Sequence, residues 1–198
     1  MSKILAAILM VAFISGCSIK EIGKPITRYS LDSGNVKLAN FKVDKVLKVV
    51  HFKTPTNLIG EKIWYKRESF ATNSYLYSAW SQSFTDMLEQ ELVNAIYKRD
   101  FFKSVFSGYS KSKTDYVLEG EIVSAVQNVY KNRADVKFDF RLYLIDYKTS
   151  NLIDSKDFSY RQVCKSVDAL GAIKAYNKIV QKLNKEVISW LEKSVKED

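Results

Sequence analysis

From Val136 to Leu144 the chain alternates strictly. Val136, Phe138, Phe140, Leu142 and Leu144 fall on one side, and Lys137, Asp139, Arg141 and Tyr143 on the other. That is the signature of a strand with one buried face. Tyr116, Leu118, Gly120 and Ile122 alternate in the same way. The stretches Tyr130–Arg133 and Lys148–Asn151 supply turns, so a meander is predicted, its third strand running over about Leu152–Arg161. Two other stretches carry a helical period instead. Over about Ser78–Lys98, Trp80, Phe84, Met87, Leu88, Leu92, Ala95 and Ile96 fall on one face, with Ser81, Gln82, Asp86, Glu89 and Glu91 on the other. Over about Asp168–Lys193, Leu170, Ile173, Val180, Leu183, Val187, Trp190 and Leu191 form the stripe, and Ser166 or Asp168 can cap its start. Val43–Phe52, Ile63–Tyr75 and Phe101–Phe106 read as further extended segments. Hairpins join the later strands, which predicts an α+β two-layer sandwich: a mainly antiparallel sheet with two amphipathic helices on one face.

The N-terminus has a different pattern. Lys3 precedes an unbroken apolar run, Ile4–Ile14, and Ile14-Ser15-Gly16-Cys17 follows. Eleven helical residues reach about 16 Å, roughly half of a bilayer core. The run therefore reads as the h-region of an export signal, and the four residues after it as a bacterial lipobox. A thiol can become a diacylglyceryl thioether, and cleavage before Cys17 frees an amino group for a further acyl chain. Residues 1–16 are thus a lipoprotein signal peptide, 17–27 a lipid-anchored tether containing Gly23 and Pro25, and 28–198 one periplasmic domain. By resemblance to enterobacterial sorting rules, in which Asp after the lipidated cysteine retains the protein, Ser18 would favour the periplasmic face of the outer membrane. With Cys17 acylated, Cys164 has no partner for a disulfide and reads as a structural thiol.

Catalytic motifs are missing from the sequence. It holds no phosphate-binding G-x-x-x-x-G-K-[ST], no G-x-G-x-x-G, no C-x-x-C, no H-E-x-x-H and no G-x-S-x-G. His51 is the single histidine, which excludes most multi-histidine zinc sites. Glu119 and Glu121 share a strand face, but their polar neighbours place them on a solvated side. The expectation is a protein that is not an enzyme and uses no cofactor or metal.

Charge adds a candidate partner. The 198-residue chain has a formal net charge of +9, and residues 17–60 hold eight basic against three acidic residues. The excess lies beside the anchor, where each basic residue gains about 1 kcal/mol against anionic headgroups. Lys42, Lys45 and Lys48 are the candidate lipid contacts; nucleic acid is not an expected partner of an exported chain. Tyr65, Tyr75, Tyr77 and Trp80 are the candidate aromatic contacts for a partner or a lipid.

Taken in order, these features resemble a known family. A lipobox is followed by Tyr29-Ser30-Leu31, Ile63-Trp64-Tyr65, Tyr77-Ser78-Ala79-Trp80, Met87-Leu88 and Glu91-Leu92, then a meander and a C-terminal amphipathic helix. Over about Tyr29–Leu191 this resembles the ABC-type transport auxiliary lipoproteins, which accompany mammalian-cell-entry (MCE) type lipid transport systems. The resemblance implies a non-catalytic accessory role in moving phospholipid or other hydrophobic molecules across the envelope. The implied partners are an MCE-domain protein and an inner-membrane ABC permease and ATPase, with ATP hydrolysis belonging to the ATPase. The sheet, or a groove beside the first helix, would dock the MCE protein. The alternative is a generic envelope assembly or binding lipoprotein with a protein or lipopolysaccharide partner.

Overall fold

In a computed structural model of the chain, residues 23–67, 71–108 and 110–197 are described. The signal peptide, Cys17 and the first part of the tether lie outside them. Among the described residues, eight strands and two α-helices form the fold: β1 (Thr27–Tyr29), β2 (Val43–Val49), β3 (Lys62–Arg67), β4 (Thr72–Trp80), α1 (Phe84–Arg99), β5 (Phe102–Ser107), β6 (Tyr116–Val129), β7 (Ala134–Asp146), β8 (Leu152–Val163) and α2 (Ala169–Glu197).

The meander β6–β7–β8 is antiparallel, with Ile122 opposite Phe140 and Phe140 opposite Phe158. The other edge of β6 is shared. Its N-terminal part, Tyr116–Leu118, pairs in parallel with β2, and its C-terminal part, Gln127–Val129, pairs in parallel with β3. A single bridge between Lys53 and Glu121 lies between them. Beyond β2 lies β5, again parallel, and beyond β3 lie β4 and then β1. The sheet is therefore mixed, forked along β6 and curled into a half-barrel. This corrects the expected two-layer sandwich on a mainly antiparallel sheet. Hairpin logic holds for β6–β8, but β2 and β3 join β6 in parallel and β5 joins β2 in parallel, pairings that no tight hairpin can make.

The fork coincides with a bulge. Buried residues alternate through Tyr116, Leu118, Gly120 and Ile122, then resume at Ala125, Gln127 and Val129. The register against β7 slips between Ile122 and Ser124, leaving Val123 exposed. One extra residue flips the facing of a strand and bends it.

The first helix starts later than its periodicity predicts. Ser78, Ala79 and Trp80 pair with Thr27, Arg28 and Tyr29 as strand, and the helix begins after Ser83, whose hydroxyl accepts from the Asp86 amide at 3.1 Å. Trp80 fits the stripe without being helical, because the turn that follows brings it against Phe84 (ring centroids 5.4 Å apart). At the other end of α1, Asp100 adopts a left-handed cap (φ 57°). The Arg99 guanidinium donates to Glu192 of α2 (2.5 Å) and to the carbonyls of Lys37 and Leu38 (both 3.0 Å).

The second helix matches its prediction more closely. Asp168 is its cap, accepting from the Gly171 amide at 2.8 Å. Ile173, Val180, Leu183, Val187, Trp190 and Leu191 are buried as expected, whereas Leu170 is 42% exposed. Both helices share one hydrophobic cluster with the buried side of the sheet.

Asp154 of β8 locks the end of α2, accepting from Trp190 Nε1 at 2.6 Å and Ser194 Oγ at 2.9 Å. Burial alone would raise this carboxyl's pKa, but the donors from Ser194 and Trp190 outweigh it, so the pKa lies below the ordinary value. A carboxyl depressed on folding contributes stability above its unfolded pKa, and the contribution is lost as pH falls through the folded value. Asp154→Asn is therefore expected to lower the melting temperature at pH 7. The gap between variant and wild type should narrow as the pH is taken below the usual carboxylate range. A gap constant from neutral to acid pH would show that the charge of Asp154 contributes nothing.

Candidate functional site

Where the two arms of the sheet diverge, the chain leaves an open groove of about 480 Å³ along the outer side of α1. Its walls come from four places in the fork. Gln82 follows β4, His51 follows β2, Ser107 ends β5, and Asp86, Glu89, Gln90, Val93 and Asn94 come from the first turns of α1. His51 Nδ1 lies 3.1 Å from Glu89 Oε2 and 3.9 Å from Asp86 Oδ1. Glu89, placed by periodicity on the solvated face of α1, is 8% exposed. The periodicity of α1 could not reveal this, because the covering residues arrive from β2 and β5.

Chemically, the groove is a polar, acidic surface with one imidazole at its rim. Among the described residues, no group of His, Cys, Asp and Glu is arranged to hold a metal. Such a surface suits a basic or hydrogen-bonding segment of another molecule rather than an acyl chain.

The four aromatic candidates separate. The Tyr65 and Tyr75 rings pack against each other tilted by 43°, with centroids 4.8 Å apart. The Tyr75 hydroxyl donates to the fully buried Gln127 at 2.6 Å and also lies 3.1 Å from the Val167 carbonyl. Burial, reinforced by the negative charge of Asp168, pushes the Tyr75 phenol up to about 12, so it is a neutral donor at any ordinary pH. Trp80 is 2% exposed and packs edge-on against Tyr176, which makes it a core residue. Tyr77 alone is largely exposed, at 53%, with the Lys24 ammonium 5.8 Å from its ring centre.

The lysine candidates lie at the start and along the length of β2. Lys42 pairs with Asp100 at 2.7 Å, Lys45 sits 5.2 Å from the centre of the Tyr116 ring, and Lys48 is half-buried. Glu121, one of the two carboxylates sharing a strand face, pairs with Lys53 at 3.3 Å. Cys164 follows β8, half-buried, with Sγ 3.8 Å from Gln127 Nε2, and burial raises its pKa.

No protein-family model matches the chain. No curated protein matches it either. Solved structures do share its fold. Protein XCC0632 of Xanthomonas campestris, assigned to domain family DUF330, superposes with a TM-score of 0.75 at 17% identity, over 87% of this chain and 98% of that one. An uncharacterized protein superposes with a TM-score of 0.60 at 10% identity, over 85% and 98%. The hypothetical protein CT253 of Chlamydia trachomatis does so with a TM-score of 0.54 at 9% identity, over 79% and 100%. At these identities the likeness is one of fold: the forked, curled sheet with two helices is an architecture that solved proteins also adopt.

Proposed function

We propose that the protein is an envelope lipoprotein, anchored through Cys17 to the periplasmic face of the outer membrane. In this reading it serves as a non-catalytic accessory component of an MCE-type ABC transport system. The observation that carries the anchor is the sequence Ile14-Ser15-Gly16-Cys17 directly after an eleven-residue apolar run. The fold supplies a curled sheet and, beside α1, an open polar groove, and the sheet or this groove would dock the MCE partner. Lipid cargo would pass through the MCE assembly, and ATP would be consumed by the inner-membrane ATPase. This chain would hold the assembly at the membrane. Surface charge on α1 would then govern partner choice more than buried area does.

Affinity purification from a detergent-solubilised envelope tests the reading. An MCE-domain protein and its permease are expected to co-purify with the wild type. Reversing the charge at Asp86, which is half-exposed on the groove, together with Gln90→Lys, is expected to reduce that recovery while the domain stays folded, with a stability loss of about 1 kcal/mol because Asp86 lies in the first turn of α1. Wild-type protein that recovers neither component overturns the transport assignment.

A further inference from the structure

We infer that the corner where β1 meets β4 is a membrane-resting face, and that its occupant is the anionic surface of the bilayer holding the lipid anchor. This rests on the lipoprotein reading above and adds to it which side of the domain meets the lipid.

The corner is built by an unusual bulge. Lys62 of β3 faces Ala79 of β4, and Trp64 faces Ser74. While β3 advances two residues, β4 advances five, so residues 75–78 are pushed out of the ladder. Leu76 and Tyr77 ride on this bulge with exposures of 78% and 53%. The short strand β1 covers β4 only from Ser78 onward, leaving the bulge open along its outer edge. Ile26, immediately before β1 and level with Tyr77 in that parallel register, is 54% exposed. On the other side of the bulge, the contact of Tyr75 with Val167 draws in the start of α2, where Val167 and Leu170 are also exposed. Ile26, Leu76 and Tyr77 are exposed together along this edge, with Val167 and Leu170 exposed beyond Tyr75.

The charges around them have the matching sign. Lys24 lies against Tyr77. Lys165 is two residues before Val167, and Lys174 is one helical turn after Leu170. The nearby carboxylates are already engaged: Glu61 with Arg28, and Asp168 with Ser166 and the Gly171 amide. An apolar prominence with an amphipathic tyrosine and long lysines at its rim suits the headgroup–acyl boundary of an anionic bilayer.

The tether fixes the choice. Ile26 is nine residues from Cys17, so the corner cannot lie farther than about 32 Å from the anchored sulfur even with the chain fully extended. Lys42, Lys45 and Lys48 are placed differently. Leu47 is level with Tyr116 on β6, while Tyr65 is level with Gln127, which puts Lys45 about 30 Å along the strand from the bulge.

The test uses the full-length mature lipoprotein in vesicles of phosphatidylethanolamine and phosphatidylglycerol. In a Cys164→Ser background, an environment-sensitive fluorophore is attached at Leu76→Cys, at Tyr77→Cys, or at Thr149→Cys in the turn between β7 and β8. Spin-labelled lipid is expected to quench positions 76 and 77 several-fold more than position 149. The mass of the N-terminal peptide reports acylation of the same sample. An acylated protein with positions 76 and 77 quenched no more than 149 overturns this face and leaves the anchor standing. Shielding of 76 that depends on protein concentration instead of lipid overturns it in favour of a second copy. An unacylated Cys17 overturns both readings.

Discussion

Gly120→Ala is expected to destabilise the domain by about 1–3 kcal/mol, the usual cost of overpacking a filled core. For a domain of this length that is a fall of roughly 2–4 °C in melting temperature per kcal/mol. The reason is a close approach at the fork of the sheet. A Cβ at Gly120 would lie 2.5 Å from Phe52 Cδ1, 2.8 Å from Phe52 Cε1 and 2.9 Å from Phe140 Cζ. Neither ring can swing away. Phe52 and Phe140 are each 1% exposed and packed edge-to-face with centroids 5.1 Å apart. Phe52 also has its backbone position fixed, because Lys53 donates to the Gly120 carbonyl and accepts from the Ile122 amide, both at 2.8 Å. Gly120→Val should be worse than Gly120→Ala. Shrinking the ring in Phe52→Leu should recover part of the loss in the double variant, giving a coupling of 0.5 kcal/mol or more, about what directly touching residues show. Thermal unfolding followed by circular dichroism measures all four proteins. If the costs of Gly120→Ala and Phe52→Leu simply add, the Phe52 ring does not constrain this position.

Gly120 also marks how far the sequence could be read. Its place in the alternation Tyr116, Leu118, Gly120, Ile122 was legible, since a two-residue period is local. That it must be glycine was not, because the atom it makes room for comes from Phe52, sixty-eight residues away. The same division runs through the molecule. The hairpins of β6–β8 and the extent of α2 follow from turn residues and apolar spacing, and the structure places them within a few residues of the prediction. The parallel pairings of β2 and β3 to one edge of β6 have no local signature, and they turn the expected sandwich into a curled, forked sheet. At Trp80 the local signal misled, since a strand, a short turn and a helix can reproduce helical spacing over one step. The groove beside α1 was legible only in outline. Gln82, Asp86 and Glu89 were among the polar positions assigned to the first helix, whereas His51 and Ser107, which make that face a groove, arrive from separate strands. Among the aromatic candidates, composition could not distinguish Trp80, locked in the core, from Tyr77, carried out on a bulge.

Cys17→Ser is expected to abolish incorporation of labelled palmitate and to leave a chain heavier by its sixteen signal residues. A serine hydroxyl does not form the thioether that the lipoprotein signal peptidase requires, so the precursor stays uncut. The energetic consequence is large. Each buried methylene contributes about 0.8 kcal/mol, and a single acyl chain binds a membrane only with an association constant near ~10⁴ M⁻¹, so stable anchoring takes two or three chains. Replacing residues 1–17 by an ordinary cleaved export signal separates the anchor from the fold. That soluble form is expected to melt like the wild type, since Tyr29 and Leu31, which pack on the core, lie beyond the tether. It should also be recovered outside the membrane fraction. Palmitate label that persists in Cys17→Ser, or cleavage at the same point without it, would mean that the apolar run is a simple export signal and Cys17 an ordinary residue. The membrane-resting corner at Leu76 and Tyr77 would then lose the tether that brings it to lipid.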